Sequence, residues 1–271
     1  MTKQRYIKIG VRWDDENQND RINAAARLGL IDYIEVNYPV TPGQKPEALG
    51  LPIYAHSSVN PLASPDPLNP KITALVAEAA RRFDSPWVGE HLSWLGPEQQ
   101  GRVGYIVNPV LINEVHAVAV ANAVALKTIY NRPLALELGP LYSRTGTYPS
   151  EFHFLASVAE TADCIVILDL AHAVASNRNL LRPDDFGWDV MVSERLVELH
   201  VAGIRSGQSG RFWHDAHDLV PESAIFDAVA RIVHTAPCLA AITLEHDIKG
   251  AAAEFITCLE KLRRIVEETG R

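Results

Sequence analysis

Eight short apolar runs, separated by stretches of helical periodicity along the whole chain, constrain the fold more than any other feature. They read YIKIGVRW (6–13), YIEVNY (33–38), PIYAHSSV (52–59), WVGEHLSW (87–94), PLALELG (133–139), CIVILDLAH (164–172), LVELHVAG (196–203) and AITLEHD (241–247). Most are continuous in Val, Ile and Leu and bounded by turn residues, the pattern of parallel strands covered on both faces. Segments 21–30, 71–83, 109–127, 150–161, 222–233 and 251–268 carry helical spacing, with Ser150 placed as an N-cap. The connections after 39 and 173 are less regular. Eight strand-plus-helix units predict one domain over 1–271, a single (β/α)8 TIM barrel. A doubly wound sheet is the alternative, but no Gly-rich phosphate loop follows the first strand.

No linker or low-complexity tract divides the 271 residues, and the hydrophobic fraction of 47% supplies a large core. The net charge of −8 argues against broad nucleic-acid binding, which needs a basic face. Cys164, Cys238 and Cys258 are widely spaced and form no CxxC, so reduced thiols in a cytoplasmic protein are expected. The N-terminus lacks a signal-peptide apolar region and no run has transmembrane length, so no membrane partner is expected.

Chemistry enters late in the runs. His56 follows PIYA, His91 follows WVGE, Glu137 follows PLAL, Asp169 and His172 end CIVILDLAH, His200 follows LVEL, and Glu245 follows AITL. Asp215 and His217 form a DxH pair in the loop after strand seven. In a parallel barrel all strand C-termini reach one mouth, so residues far apart in sequence converge. A single His in a strand is more often a hydrogen-bonded core residue than a ligand. Charged groups at successive strand ends are costly to bury without compensation, however, and the series points to metal. The set is all nitrogen and oxygen, which suits iron, manganese or zinc, and is large enough for about two or three ions. His116, His153 and His234 fall in or at the ends of predicted helices, and His214 abuts the DxH pair. Strand alternation turns His246 away from the face of Glu245, and Glu90 away from that of His91.

The stretches IGVRW, IEVNY, EHLSW, LEL, ILDLAH, ELHVAG, DAH and LEHD, in this order, resemble the multinuclear non-heme iron-dependent oxidative enzymes that modify ribosomally made peptides. That group contains the methanobactin oxidase and the 3-thiaglutamate pathway enzyme. EHLSW and ELHVAG are the most distinctive parts. The resemblance implies a xylose-isomerase-like barrel with two or three irons at its mouth. It nominates His56, His91, Glu137, Asp169, His200, Asp215, His217 and Glu245 as iron ligands. His172 stands where many relatives have Asn, and Leu138 replaces an Asn that often follows the strand-five Glu; an imidazole at 172 can still ligate.

What the resemblance implies for function is an oxidoreductase with mixed-valent Fe(II)/Fe(III) and O2 as co-substrate. It would modify a Cys of a precursor peptide, with Asp215 and His217 as catalytic candidates. A separate small partner protein that recognises the leader peptide is expected. Loops 142–150 and 203–213 are placed to cover the mouth, with Arg144, Arg205 and Arg211 as candidates for gripping a carboxylate. The ligand order also resembles endonuclease IV, a multinuclear zinc phosphodiesterase, through DLAHAVAS and WHDAHD. The acidic chain lacks the basic loops that such a reading needs. A metal-dependent sugar isomerase-like barrel is a further alternative.

Overall fold

The computed structural model describes residues 6–65, 68–94, 107–207, 210–247 and 251–270. In chain order the elements are β1 (Lys8–Trp13), α1 (Asn19–Arg27), β2 (Tyr33–Asn37), β3 (Ile53–Ser57), α2 (Pro70–Arg82), β4 (Val88–His91), α3 (Asn113–Tyr130) and β5 (Leu134–Glu137). They continue with α4 (Glu151–Thr161), β6 (Ile165–Asp169), α5 (Leu170–Asn179), α6 (Trp188–Met191), β7 (Leu196–Val201), β8 (Gly203–Ser206), β9 (Trp213–Ala216), α7 (Ser223–Thr235), β10 (Ala241–Leu244) and α8 (Ala252–Glu268). Strands β1 to β7 and β10 close into a parallel barrel in the order β1-β10-β7-β6-β5-β4-β3-β2. This is the predicted single (β/α)8 barrel. Among the described residues, no helix is long and apolar enough to cross a membrane.

Register divides each strand into two faces. Paired residues share a face, and one set runs Gly10–Tyr33, Glu35–Tyr54, Asn37–His56, His56–Gly89, His91–Glu137, Asp169–His200 and His200–Thr243 around the barrel. That set faces the interior. Its lower layer is aromatic and apolar, with Tyr33, Tyr54, Trp87, Ala135 and Ile167 packed together. The opposite face carries Ile9, Val11, Ile34, Val36, Val88, Leu134, Leu136, Leu168, Leu199 and Ile242, all buried against the helices. Each such side chain contributes about 1.5–3 kcal/mol on burial. Both faces of the sheet are therefore covered, and the polar residues of the upper interior are held by a rigid apolar frame.

Three connections differ from the sequence expectation. Between β2 and β3 the described structure has a 3-10 turn, Pro46–Leu49, because Pro39, Pro42, Pro46 and Pro52 withhold amide donors from a helix. The sixth run is not one strand. It ends at Asp169, which becomes the N-cap of α5, its Oδ1 accepting from the His172 amide at 2.7 Å. The loop after strand seven is an antiparallel hairpin, β8 against β9, with Ile204 opposite Asp215 and Gln208 and Ser209 outside the described residues. The hairpin is anchored on α5. Asn179 donates to Trp213 O (3.0 Å) and accepts from Trp213 N (2.7 Å), while Arg178 stacks on the Trp213 ring.

Candidate metal centre at the barrel mouth

A cavity of about 160 Å³ opens at the C-terminal ends of the strands. Its wall includes Arg12, Glu35, Asn37, His56, His91, Glu137, His172, Asp215, His217 and Glu245. The nine residues nominated from the sequence thus lie in or directly beneath this one mouth. Seven line the cavity; Asp169 and His200 are 2% and 1% exposed and touch those that do.

Glu137 is the hub. Its carboxylate lies 3.0 Å from His56 Nε2, 3.5 Å from His91 Nε2, 3.2 Å from His172 Nδ1 and 3.5 Å from His200 Nδ1. Glu245 forms a second focus, 2.9 Å from His217 Nε2, 3.6 Å from His200 Nδ1 and 3.7 Å from Arg12 Nη1. Asp215 Oδ2 stands 2.5 Å from His217 Nε2 and 3.7 Å from His172 Nε2. Local structure explains these placements. Asp169 spends Oδ1 on the helix cap and keeps Oδ2 for the mouth, and the spacing from N-cap to third helical residue brings His172 back over the same opening. His172 Nδ1 is held 3.0 Å from Leu138 O, which leaves Nε2 turned toward Asp215.

Electrostatics record a site built for cations. Burial drives the His91 imidazole down to about 3, against the pull of Glu137. Burial also opposes charge on His217, yet Glu245 and Asp215 win and raise it to about 10. His172 and His200 lie well above the ordinary imidazole range, burial being overcome chiefly by Asp169 and Glu35 respectively. Glu137 and Glu245 stay well below the carboxylate range despite burial, held there by His91 and His217 first among their neighbours. Asp169 is pushed up to about 7 by its burial. Protons on imidazoles therefore compensate buried carboxylates in the metal-free chain.

The residues fit metal on a direct test. On the mouth side, Asp169 Oδ2, His200 Nδ1, Asp215 Oδ1 and His217 Nε2 are buried without an aligned hydrogen-bond partner. Such orphans are rare in a finished interior and need an explanation. Ligand atoms converge within 4.8 Å of one another in the groups His56–His91–Glu137, Glu137–Asp169–His200, Glu35–His200–Glu245 and Asp215–His217–Glu245. Glu137 and Glu245 each belong to two groups, as bridging carboxylates do.

Three residues of the wall escaped sequence reasoning. Glu35 is 3% exposed, with Oε2 3.3 Å from His200 Nε2. Arg12 Nη1 lies 3.0 Å from His217 Nδ1, and Asn37 Nδ2 donates to Ser58 Oγ at 3.1 Å. The available signal was parity: Arg12, Glu35 and Asn37 alternate with the apolar residues of their strands. Arg144, Arg205 and Arg211 are exposed and do not line the cavity; Arg205 is paired with Asp218 at 2.7 Å, and Arg144 donates to Tyr148 O. Glu90, beside His91, faces the helix layer, where Asn60 (2.7 Å) and Tyr130 (2.5 Å) donate to it. His246 faces α8, its ring 5.9 Å from Phe255, and His116, His153 and His214 contact Ser157, Ser150 and Tyr142.

Comparison with solved structures finds the same barrel fold in other proteins. A xylose isomerase-like TIM barrel protein from Mycobacterium smegmatis in complex with magnesium superposes with a TM-score of 0.62 over 98% of both chains at 13% identity. Endonuclease IV from Thermus thermophilus superposes with a TM-score of 0.59 over 96% of this chain and 99% of that one at 20% identity. Sequence relatives are more specific. A UPF0276 protein of Anaeromyxobacter sp. is 27% identical over 245 residues, 85% of this chain and 82% of its own length. A UPF0276 protein of Caulobacter vibrioides is 28% identical over 215 residues, 74% of this chain and 75% of its own. The sequence model for the RiPP precursor modification enzymes MbnB/TglH/ChrH, which act on ribosomally made peptides, matches residues 8–267. With that match running from the first barrel strand into the last helix, this chain belongs to the MbnB/TglH/ChrH family of RiPP precursor modification enzymes.

Proposed function

We propose that the barrel holds iron at its mouth and uses dioxygen to oxidise a cysteine of a ribosomally made precursor peptide. The observation that carries this reading is the convergence of orphaned imidazole and carboxylate atoms in the mouth of a chain matched by a peptide-modifying family. The donor set contains no thiolate, so a substrate thiolate can add a soft ligand that the protein itself does not supply. His56, His91 and Glu137 would hold one ion, Glu137, Asp169 and His200 a second, and Asp215, His217 and Glu245 a third. Iron, mixed-valent across such a group, supplies the one-electron redox chemistry that dioxygen requires.

The chain's own residues do the rest. Arg12 braces Glu245 and His217 from the β1 side of the mouth. Asn37 donates one amide hydrogen to Ser58 and leaves a buried Oδ1 without a partner, an acceptor for a peptide N–H beside the metal residues. Asp215 and His217, on and just past the hairpin strand, are the most exposed of the metal residues, with side chains 17% and 21% accessible, and meet the substrate first. We assign them the catalytic role. Arg144, Arg205 and Arg211 lie farther out and would meet acidic side chains of the peptide. A separate partner protein would recognise the leader, and the enzyme would work in the cytoplasm without nucleic acid.

The test is direct. Iron-loaded protein is given dioxygen and a cysteine-bearing precursor peptide, with oxygen uptake and peptide mass as readouts. A mass change that disappears when the cysteine is replaced by serine supports the proposal. Zinc-dependent cleavage of abasic DNA with no peptide oxidation overturns it in favour of an endonuclease IV-like phosphodiesterase.

A further inference from the structure

Five imidazoles face the mouth, and four of them present the same nitrogen. His56, His91 and His217 turn Nε2 to the carboxylates of Glu137, Asp215 and Glu245. His172 places Nδ1 on Leu138 O, so its proton belongs there and Nε2 is the open atom. His200 is reversed. Its Nδ1 lies between Glu137 Oε2 (3.5 Å) and Glu245 Oε1 (3.6 Å), while Nε2 points deeper into the barrel, to Glu35 Oε2 at 3.3 Å and Glu198 Oε1 at 3.9 Å.

Glu198 is already engaged. Tyr33 OH (2.9 Å) and Thr243 Oγ1 (2.6 Å) donate to its Oε1, and Trp87 Nε1 (2.9 Å) donates to its Oε2. With three donors satisfying that carboxylate, Glu35 is the nearer and less engaged acceptor for a proton on His200 Nε2, at 3.3 Å though not aligned as a hydrogen bond. Glu35 is also positioned rigidly: β2 pairs it with Arg12 on one side and Tyr54 on the other, in the interior-facing set.

We infer that Glu35 is a positioning residue that fixes His200 as the one histidine of the centre binding metal through Nδ1. A metal-bound imidazole needs its second nitrogen protonated and hydrogen-bonded, and a carboxylate there orients the ring and makes it a stronger donor. Glu35 stands 3.3 Å from His200 Nε2, where it can become that partner on the side away from the mouth. Protonation of Nε2 leaves the Nδ1 lone pair directed between Glu137 and Glu245, the two carboxylates shared among the metal groups. His200 thereby joins two halves of the centre from below, where it is 1% exposed and out of reach of substrate.

This inference rests on the metal reading above, and Zn2+ alone is a sufficient probe. Wild type labelled with 15N-histidine and loaded with zinc should show one ring protonated at Nε2 and ligated through Nδ1 in long-range 1H–15N correlation spectra. The His172 ring, whose Nδ1 proton goes to Leu138 O, should show the opposite pattern. In Glu35→Gln that one ring should shift while the others hold, and zinc affinity by chelator competition should fall within the ~10–100-fold range typical of a lost orienting partner. Glu35→Ala, which offers no acceptor, should lose more than Glu35→Gln. Ligation of every ring through Nε2, or wild-type zinc affinity in both variants, overturns the inference and leaves the metal reading standing. No zinc binding by the wild type overturns both.

Discussion

Gly89 lies inside β4 with backbone angles that accept alanine, so Gly89→Ala is a perturbation of space alone. A Cβ there would sit 2.2 Å from His56 Cδ2, 3.0 Å from His56 Nε2 and 3.0 Å from Ile167 Cδ1. Carbon contacts settle near ~3.5–4.0 Å, so the imidazole must retreat by more than about 1 Å. It cannot do so freely, because Nε2 is held 3.0 Å from Glu137 Oε2 in the closed interior. A metal–nitrogen bond tolerates only about 0.2 Å. The variant should therefore lose roughly one metal equivalent, the one at His56, His91 and Glu137, and overpacking should cost about 1–3 kcal/mol of stability. Gly10→Ala is the matched control. Its Cβ meets the Tyr33 ring at 2.3 Å, in the aromatic layer beneath the centre, so it should destabilise the fold and keep its metal. Elemental analysis and thermal melts of both variants decide the matter. A Gly89→Ala protein with full metal content and an unchanged melting temperature would refute the placement of His56.

Glu137→Gln should empty most of the centre and, in chelator-treated protein, cost on the order of 3–5 kcal/mol, since a buried charge partner of several imidazoles is removed; denaturant titration and metal analysis would contradict this if both stayed at wild-type levels. Metal loading should release protons. His172 and His200 are held well above the imidazole range and His217 at about 10, so these rings are charged at neutral pH in the metal-free chain and must be neutral to ligate. Loading then tightens as pH rises, and calorimetry in buffers of different ionisation heat should reveal the release. Glu90 acts on stability instead. Burial lifts its carboxyl to about 7, so the folded chain keeps a proton that the unfolded chain loses, and stability falls as pH rises from about 4.5 to about 7. Glu90→Gln should flatten that slope while leaving metal content intact, and a slope unchanged in the variant would remove Glu90 as its source.

The barrel and the direction of its chemistry were legible because parallel strands buried on both faces write continuous apolar runs, and because functional groups come late in each. His56, His91, Glu137, His200 and Glu245 could be read from that rule alone. Glu35 could not, since it sits in the middle of YIEVNY rather than at its end; only alternation, Glu35 and Asn37 against Ile34 and Val36, marks its face. His172 looked like a strand residue because the apolar run crosses a boundary set by the Asp169 cap, a hydrogen bond that hydrophobicity does not register. The β8–β9 hairpin was hidden for another reason. Its pairing depends on α5 side chains, Asn179 and Arg178, that precede it by more than two dozen residues. Long-range partners of that kind leave no periodic trace.

The mouth is proposed to hold a multinuclear iron centre on these imidazoles and carboxylates. Metal analysis with Mössbauer spectroscopy on protein produced aerobically with added 57Fe addresses it most directly. About two or three irons per chain in distinct ferrous and ferric environments are expected from an all-nitrogen-and-oxygen ligand set large enough for several ions. Stoichiometric zinc in place of iron, or no bound metal at all, would contradict it.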